Sequence, residues 1–259
     1  MSHSSKTPRI LAIHAHPDDI EILCAGTLIR LKEAGCEIHL RTMTAGDCGS
    51  AELSAEHISR KRLDEAQAAA DLLGAPYDCL HFFDLQIVHD NDGRRRVTEA
   101  IRQVDPDIVI TAPPVDYMSD HEMTSRLVRD ACFNAPIPNY ETETESPASP
   151  TNKIPHLYFV DPVGGIDYYG HAVEPEFVVN VTEQFGLKQQ MLACHESQRA
   201  WLRKQHGMDE YLDASRRWSE SRGAKVGALY GEGFRQYKGH PYPEDNLLLD
   251  VLENEPLEK

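Results

Sequence analysis

The sequence predicts an α/β fold: a Rossmann-like, doubly wound, mostly parallel sheet with helices on both faces. Two observations predict it. Short apolar runs alternate with helical patterns from the N-terminus onward. The run Asp107–Ala112 (Asp-Ile-Val-Ile-Thr-Ala) is continuously apolar, as strands of a parallel sheet covered on both faces are. Strand and helix in alternation imply right-handed βαβ units, with the first strand beside the fourth and a switch point between them.

Arg9–His16 reads as the first strand, and a helical pattern follows from about Ile20 to Ala34, stopping at Gly35. Cys36–Thr44, β-branched and apolar on alternate positions, is the second strand. A Gly-, Asp- and Ser-rich loop covers Ala45–Leu53. Ser54 opens a helix that runs to Leu73, with Gly74 as its stop. Cys79–Phe83 is a short third strand, Val97–Val104 a helix closed by Asp105-Pro106, and Asp107–Ala112 the fourth strand. A further helix begins near His121. Pro138–Pro155 is polar, acidic and proline-rich, which predicts a flexible surface loop or a lid. Leu157–Val160 and Glu176–Thr182 resume the strand pattern, and Glu183–Leu202 reads as one long helix. From about Gln205 a helical and loop extension completes a single domain over residues 1–259, helical to about Arg222 and then Gly- and Pro-rich.

Composition narrows the function. A net charge of -16 argues against a nucleic-acid partner, since phosphates would be repelled. The first residues lack a signal peptide's apolar core, and no run is long enough to span a bilayer. Six scattered cysteines without a CxxC pair read as reduced thiols of a cytoplasmic protein. The first turn lacks Gly-x-Gly, which disfavours a nicotinamide cofactor.

The chemistry concentrates at two strand exits. His16-Pro17-Asp18-Asp19-Ile20-Glu21 follows the first strand, and Asp116-Tyr117-Met118-Ser119-Asp120-His121 follows the fourth. Ligands of open α/β sheets bind at these carboxyl ends. A catalytic zinc site takes three nitrogen or oxygen ligands and leaves one position open. His16 and Asp19 flank a Pro-Asp dipeptide that one turn brings to a single ion, and His121 is the third ligand by topology. Asp18 is left beside the metal as a general base. The alternative is that Asp18 and Asp19 only cap the following helix.

These residues carry a resemblance. Ala15-His16-Pro17-Asp18-Asp19-Ile20-Glu21 with Gly26-Thr27-Leu28 resembles the signature of the LmbE-like (PIG-L type) zinc-dependent de-N-acetylases. The similarity continues through Thr44-Ala45-Gly46-Asp47, Arg62-Leu63-Asp64-Glu65-Ala66, Asp120-His121 and His195-Glu196-Ser197-Gln198. It implies removal of an N-acetyl group from an amino sugar or N-acetylglucosaminyl conjugate, with His16, Asp19 and His121 on zinc and Asp18 as base. It also implies a structural or outer-sphere role for Glu21. Arg62 and Asp84 become substrate contacts, against a solvated helix arginine and a strand-end turn residue. A homo-oligomer is compatible with it.

One position departs from the pattern. The family's second motif reads His-Pro-Asp-His, and here it is Met118-Ser119-Asp120-His121. A thioether can neither donate to an oxyanion nor protonate an amine. Tyr117, Asp116, His171 and His195 are candidates to fill in, with Tyr117 also a substrate contact. Two rivals therefore stand beside the N-deacetylase: an amidase for larger acyl or thiol-conjugate amides, and a zinc-containing carbohydrate-binding module without turnover.

Overall fold

The computed structural model describes residues 7–199 and 210–253. Its elements in order are β1 (Arg9–His14), α1 (Asp19–Leu23), α2 (Ala25–Glu33), β2 (Glu37–Thr44), α3 (Ala55–Leu73), β3 (Tyr77–Phe82), α4 (Asn91–Val104), β4 (Ile108–Thr111) and α5 (Ser119–Asn134). Then come β5 (His156–Val160), β6 (Phe177–Asn180), α6 (Phe185–Ala193), α7 (Glu210–Ala224), β7 (Gly231–Gln236) and α8 (Leu247–Glu253). The strands form one sheet in the order β3-β2-β1-β4-β5-β7-β6. β1 pairs in parallel with both β2 and β4, so the switch point lies where the strand pattern predicts. The last two strands are antiparallel, because β7 inserts between β5 and β6.

β1 shows why its sequence is apolar throughout. Ile10 and Ala12 pack into the core that carries α1, α2 and α6, while Leu11 and Ile13 pack into the core that carries α4 and α5. All four are fully buried. Ile10, Leu11 and Ile13 each contribute about 1.5–3 kcal/mol by this burial, which holds the strand whose exit carries His16.

Several boundaries differ from the sequence reading. The first helix breaks at Cys24, whose backbone leaves the helical region (φ -145°, ψ 5°). The break creates a second helix start, and the amides of Gly26 and Thr27 there donate to the Glu232 carboxylate at 2.9 and 2.7 Å. An anion at a helix N-terminus is favoured by the exposed amides and the helix dipole. Lys188, also fully buried, donates to the same carboxylate at 2.6 Å. A Cβ on Gly26 would stand 2.7 Å from Val181 Cβ, so only glycine permits this approach.

α4 starts at Asn91, capped by the Asp90 carboxylate, rather than at Val97, because its first turns are polar. The predicted long helix from Glu183 ends at Ala193; the part of that reading from 200 to 202, and the stretch 205–209, lie outside the described residues. β7 and α8 replace the predicted terminal loops: Gly231-Glu232-Gly233 in β7 carries no apolar alternation, yet the strand is almost wholly buried. Segment 138–155 has neither helix nor strand and is tied to α4 rather than placed over a cavity. Thr142 Oγ1 donates to Glu99 at 2.6 Å, the Ala148 amide at 2.8 Å, and Glu143 pairs with Arg95 at 2.8 Å.

Candidate metal centre

His16 and Asp19 stand on the turn after β1, and His121 lies in the first turn of α5, after β4. The two loops meet at the switch point. His16 Nδ1 is 3.3 Å from His121 Nε2, and Asp19 approaches them at 3.4 and 3.3 Å respectively. All three side chains are buried. A tetrahedron with zinc–nitrogen bonds of the usual length has edges of about 3.3–3.4 Å. The donor spacing therefore fits one small divalent ion.

Two carboxylates orient the imidazoles. Asp120 lies 3.3 Å from His16 Nε2, and Asp116 lies 3.2 Å from His121 Nδ1, so each ring turns its other nitrogen toward the common point. Such carboxylate–histidine pairs fix the tautomer that binds a metal. The Leu85 amide holds Asp120 at 2.7 Å, and Asp84 Oδ1, without a hydrogen-bond partner, stands 4.0 Å from His16. Burial alone would lower the His16 pKa, but hydrogen bonds to Asp120 and Asp19 push it up to about 9. His121 is pushed to about 11, burial again being outweighed by Asp19 and Asp116. Asp19, despite burial, is held well below the usual carboxylate range by His121 and His16. The two histidine shifts have one cause, the buried carboxylates of Asp19, Asp116 and Asp120 around the rings, and such a cluster favours a cation.

Asp18 borders this cluster without joining it. Its backbone takes φ 110°, a sparsely populated conformation for a residue with a Cβ, and such strain gathers at functional sites. Arg62 of α3 donates from Nη2 to Asp18 Oδ2 at 3.1 Å and to the Pro17 carbonyl at 2.6 Å. The Tyr211 hydroxyl of α7 donates to the same Asp18 oxygen. Burial raises the Asp18 carboxyl and Asp19 adds to it, against the opposing pull of Arg62 and Tyr211. Arg62 reaches this place by crossing Gly46, where a Cβ would stand 2.4 Å from its guanidinium. The solvated-arginine alternative is thereby corrected: Arg62 is only 4% exposed.

The remaining candidates divide. Asp84 is buried, accepts from the Cys48 amide at 3.1 Å, and lines the cavity beside His16. Tyr117 also lines it, its ring edge-on to His121 with centroids 5.7 Å apart. His195 is not on the cavity wall. It is fully buried, with Nε2 3.3 Å from Glu21, so Glu21 supports His195 rather than a ligand. The next residues tie elements together: Ser197 bonds Glu65 through its amide at 2.8 Å and its hydroxyl at 2.6 Å, and Gln198 donates to the Gly49 carbonyl at 3.1 Å. His171 is exposed and pairs with Asp167, away from the lining. Met118 does face the cavity. Sequence reasoning missed Tyr211, which arrives from 193 residues away, and missed that Asp116 serves His121.

The cavity over these groups measures about 770 Å³. Its floor holds His16, Asp18, Asp19, Arg62, Asp84 and His121, and α7 forms one wall. A buried donor triad, a strained carboxylate beside it and an open cavity above are the parts needed to activate water against a bound electrophile.

Comparison with known proteins agrees with the layout. Residues 11–132 match the family model PIG-L: GlcNAc-PI de-N-acetylase. Diacetylchitobiose deacetylase of Thermococcus kodakarensis is 26% identical over 196 residues, covering 73% of this chain and 70% of that protein. The uncharacterized deacetylase YaiS of Escherichia coli K12 is 32% identical over 150 residues, covering 55% of this chain and 78% of that one. Similarity extends to a 4-oxalmesaconate hydratase of Pseudomonas putida, 26% identical over 139 residues, covering 51% of this chain and 54% of the hydratase. Among solved structures, N,N'-diacetylchitobiose deacetylase from Pyrococcus horikoshii superposes with a TM-score of 0.77 at 25% identity, covering 92% of this chain and 88% of that one. Motifs, fold and relatives converge: the chain belongs to the PIG-L (LmbE-like) family.

Proposed function

We propose that this protein hydrolyses the N-acetyl amide of an amino sugar or N-acetylglucosaminyl conjugate, with zinc held by His16, Asp19 and His121. The observation that carries the reading is the 3.3 Å approach of donors from two separate loops beside Asp18, a carboxylate that the triad does not use. The deacetylases among the relatives support it.

A bound zinc supplies Lewis acidity, polarising a carbonyl and bringing the pKa of water toward neutrality. Asp18, its carboxyl raised by burial, accepts the proton of the attacking water. Arg62 and Tyr211 hold the accepting oxygen in place, and Asp84 and Tyr117 line the space where the sugar would bind. Met118 has no proton to give, so Asp18 also returns the proton to the departing nitrogen. All six cysteines are free, in keeping with a reducing cytoplasm, and among the described residues no helix is long and apolar enough to cross a membrane.

The test is metal analysis with kinetics. Purified protein binds about one zinc per chain, and Asp19→Ala abolishes it. Asp18→Asn keeps the metal and loses at least about a hundredfold in acetate release from N-acetylglucosaminyl conjugates. A chain that takes up no divalent ion after zinc loading sinks the proposal. Met118 also favours a second reading, hydration of an unsaturated acid: the hydroxyl of water bonds one alkene carbon and the proton that Asp18 takes from it goes to the other, so no amine leaves and no leaving-group acid is needed. Loss of a conjugated enoate's absorbance, with no acetate released from any amide, would select it.

A further inference from the structure

α5 carries a second group of chemistry-bearing side chains, on a face that the metal centre does not use. A cavity of about 490 Å³ lies beside this helix, and no residue that lines it also lines the cavity over the triad. Ser125, Arg126 and Arg129 form its helical wall, one turn and more beyond His121. His89 enters from the loop before α4. Phe159 of β5 and Tyr237, just after β7, close the space with two rings whose centroids lie 6.2 Å apart. Such a volume is within the range of about 300–1,000 Å³ that small-molecule sites occupy.

Every polar side chain on these walls can donate a hydrogen bond, and none is a carboxylate. In a chain with 42 acidic and 26 basic residues, chance placement would bring acids to a surface cavity before arginines. Arg126 is exposed and forms no hydrogen bond or ion pair with any described residue, so its charge is uncommitted. Arg129 and His89 are held ready by one carboxylate that does not line the cavity. Asp130 lies 3.0 Å from Arg129 Nη2 and 2.8 Å from His89 Nε2. Two guanidiniums against that single carboxylate leave the cluster positive. Tyr237 is fixed in turn, edge-on to Tyr242 with centroids 4.7 Å apart. Side chains held in place beforehand lose little freedom when a ligand arrives.

We propose that this cavity binds a small organic dianion, a phosphate monoester or a dicarboxylate, with its oxygens between Arg126, Arg129 and His89 and its carbon skeleton against Phe159 and Tyr237. Guanidinium forks match both oxyanions. Buried Ser125 offers a hydroxyl from the same helix.

Calorimetry on the full-length protein, loaded with zinc and kept at low ionic strength so that charges are least screened, compares phenyl phosphate, phthalate and neutral benzyl alcohol. At least one dianion binds with a Kd below about 1 mM, and the alcohol does not. The tighter dianion identifies the anionic group, and equal binding means that both are read alike. Arg126→Gln and Arg129→Gln each weaken that binding about tenfold, the worth of a hydrogen bond between charged groups. Arg126 has no internal partner to lose, so an unchanged Tm shows that its variant is folded. Binding that either arginine change leaves intact overturns the proposal. Binding that Asp19→Ala abolishes puts the dianion on the metal and overturns it too, as does failure of both dianions to bind or equal binding of the alcohol.

Discussion

Arg62 Nη2 lies 3.1 Å from Asp18 Oδ2, with both side chains nearly sealed from solvent. The arginine leaves α3, passes across Gly46 and ends on the strained turn after β1. One guanidinium thereby joins three segments that the sequence separates, and its charge opposes the burial that raises the Asp18 carboxyl.

Removing that charge is costly. Arg62→Met leaves an uncompensated buried carboxylate and lowers stability by about 3 kcal/mol. Adding Asp18→Asn recovers part of the loss, because the stranded charge is gone. Urea denaturation of the single and double variants measures both effects. Equal stability of Arg62→Met and wild type contradicts the account.

The orienting carboxylate Asp116 has a separate signature. Asp116→Asn leaves His16, Asp19 and His121 in place but removes the anion 3.2 Å from His121 Nδ1. Zinc affinity falls about 10–100-fold, read by competition with a chromogenic chelator. Unchanged affinity would mean that His121 is oriented by packing alone.

Tyr211 acts through Asp18. Tyr211→Phe removes one hydrogen bond to a charged group, worth about 1.5–3 kcal/mol, while keeping the ring. The expected result is a fall in kcat of about tenfold or more, with zinc content and KM little changed. A matching rise in KM with kcat intact would place Tyr211 in ground-state binding instead.

Zinc bound at the proposed centre is expected to stabilise the fold. At a free concentration of about a hundred times Kd it adds about 2.7 kcal/mol. Tm rises by roughly 5 °C, chelation reverses the rise, and Asp19→Ala abolishes it. A thermal scan with and without zinc suffices.

The parallel half of the fold was legible because its signals are local. β1 and β4 are short apolar runs followed closely by Pro17 and Pro113, β2 alternates apolar and polar residues up to Ala45-Gly46, and the adjacency of β1 and β4 follows from topology alone. That adjacency is also why the proximity of His16, Asp19 and His121 could be read from two short motifs. Tyr211 could not be read in the same way. The spacing Tyr211, Ala214, Ser215, Trp218 marks one helix face, but nothing local says that this face covers β1's exit. β7 was hidden for a different reason. It carries a glutamate between two glycines, and that glutamate is buried only because Lys188 and the amides of Gly26 and Thr27 surround it. His195 illustrates the converse: a motif match that leads to a buried pair with Glu21 and not to the cavity.

The Glu232 contact sets a timetable for synthesis. The carboxylate that completes the start of α2 lies 206 residues downstream of the first amide it receives. A ribosome adding about 5–20 residues per second delivers it roughly 10–40 s after Gly26. During that interval the turn that carries His16 and Asp19 lies beside a helix start without its carboxylate and a sheet without β7. The N-terminal motif is thus the first part of the site to be made and among the last to be secured.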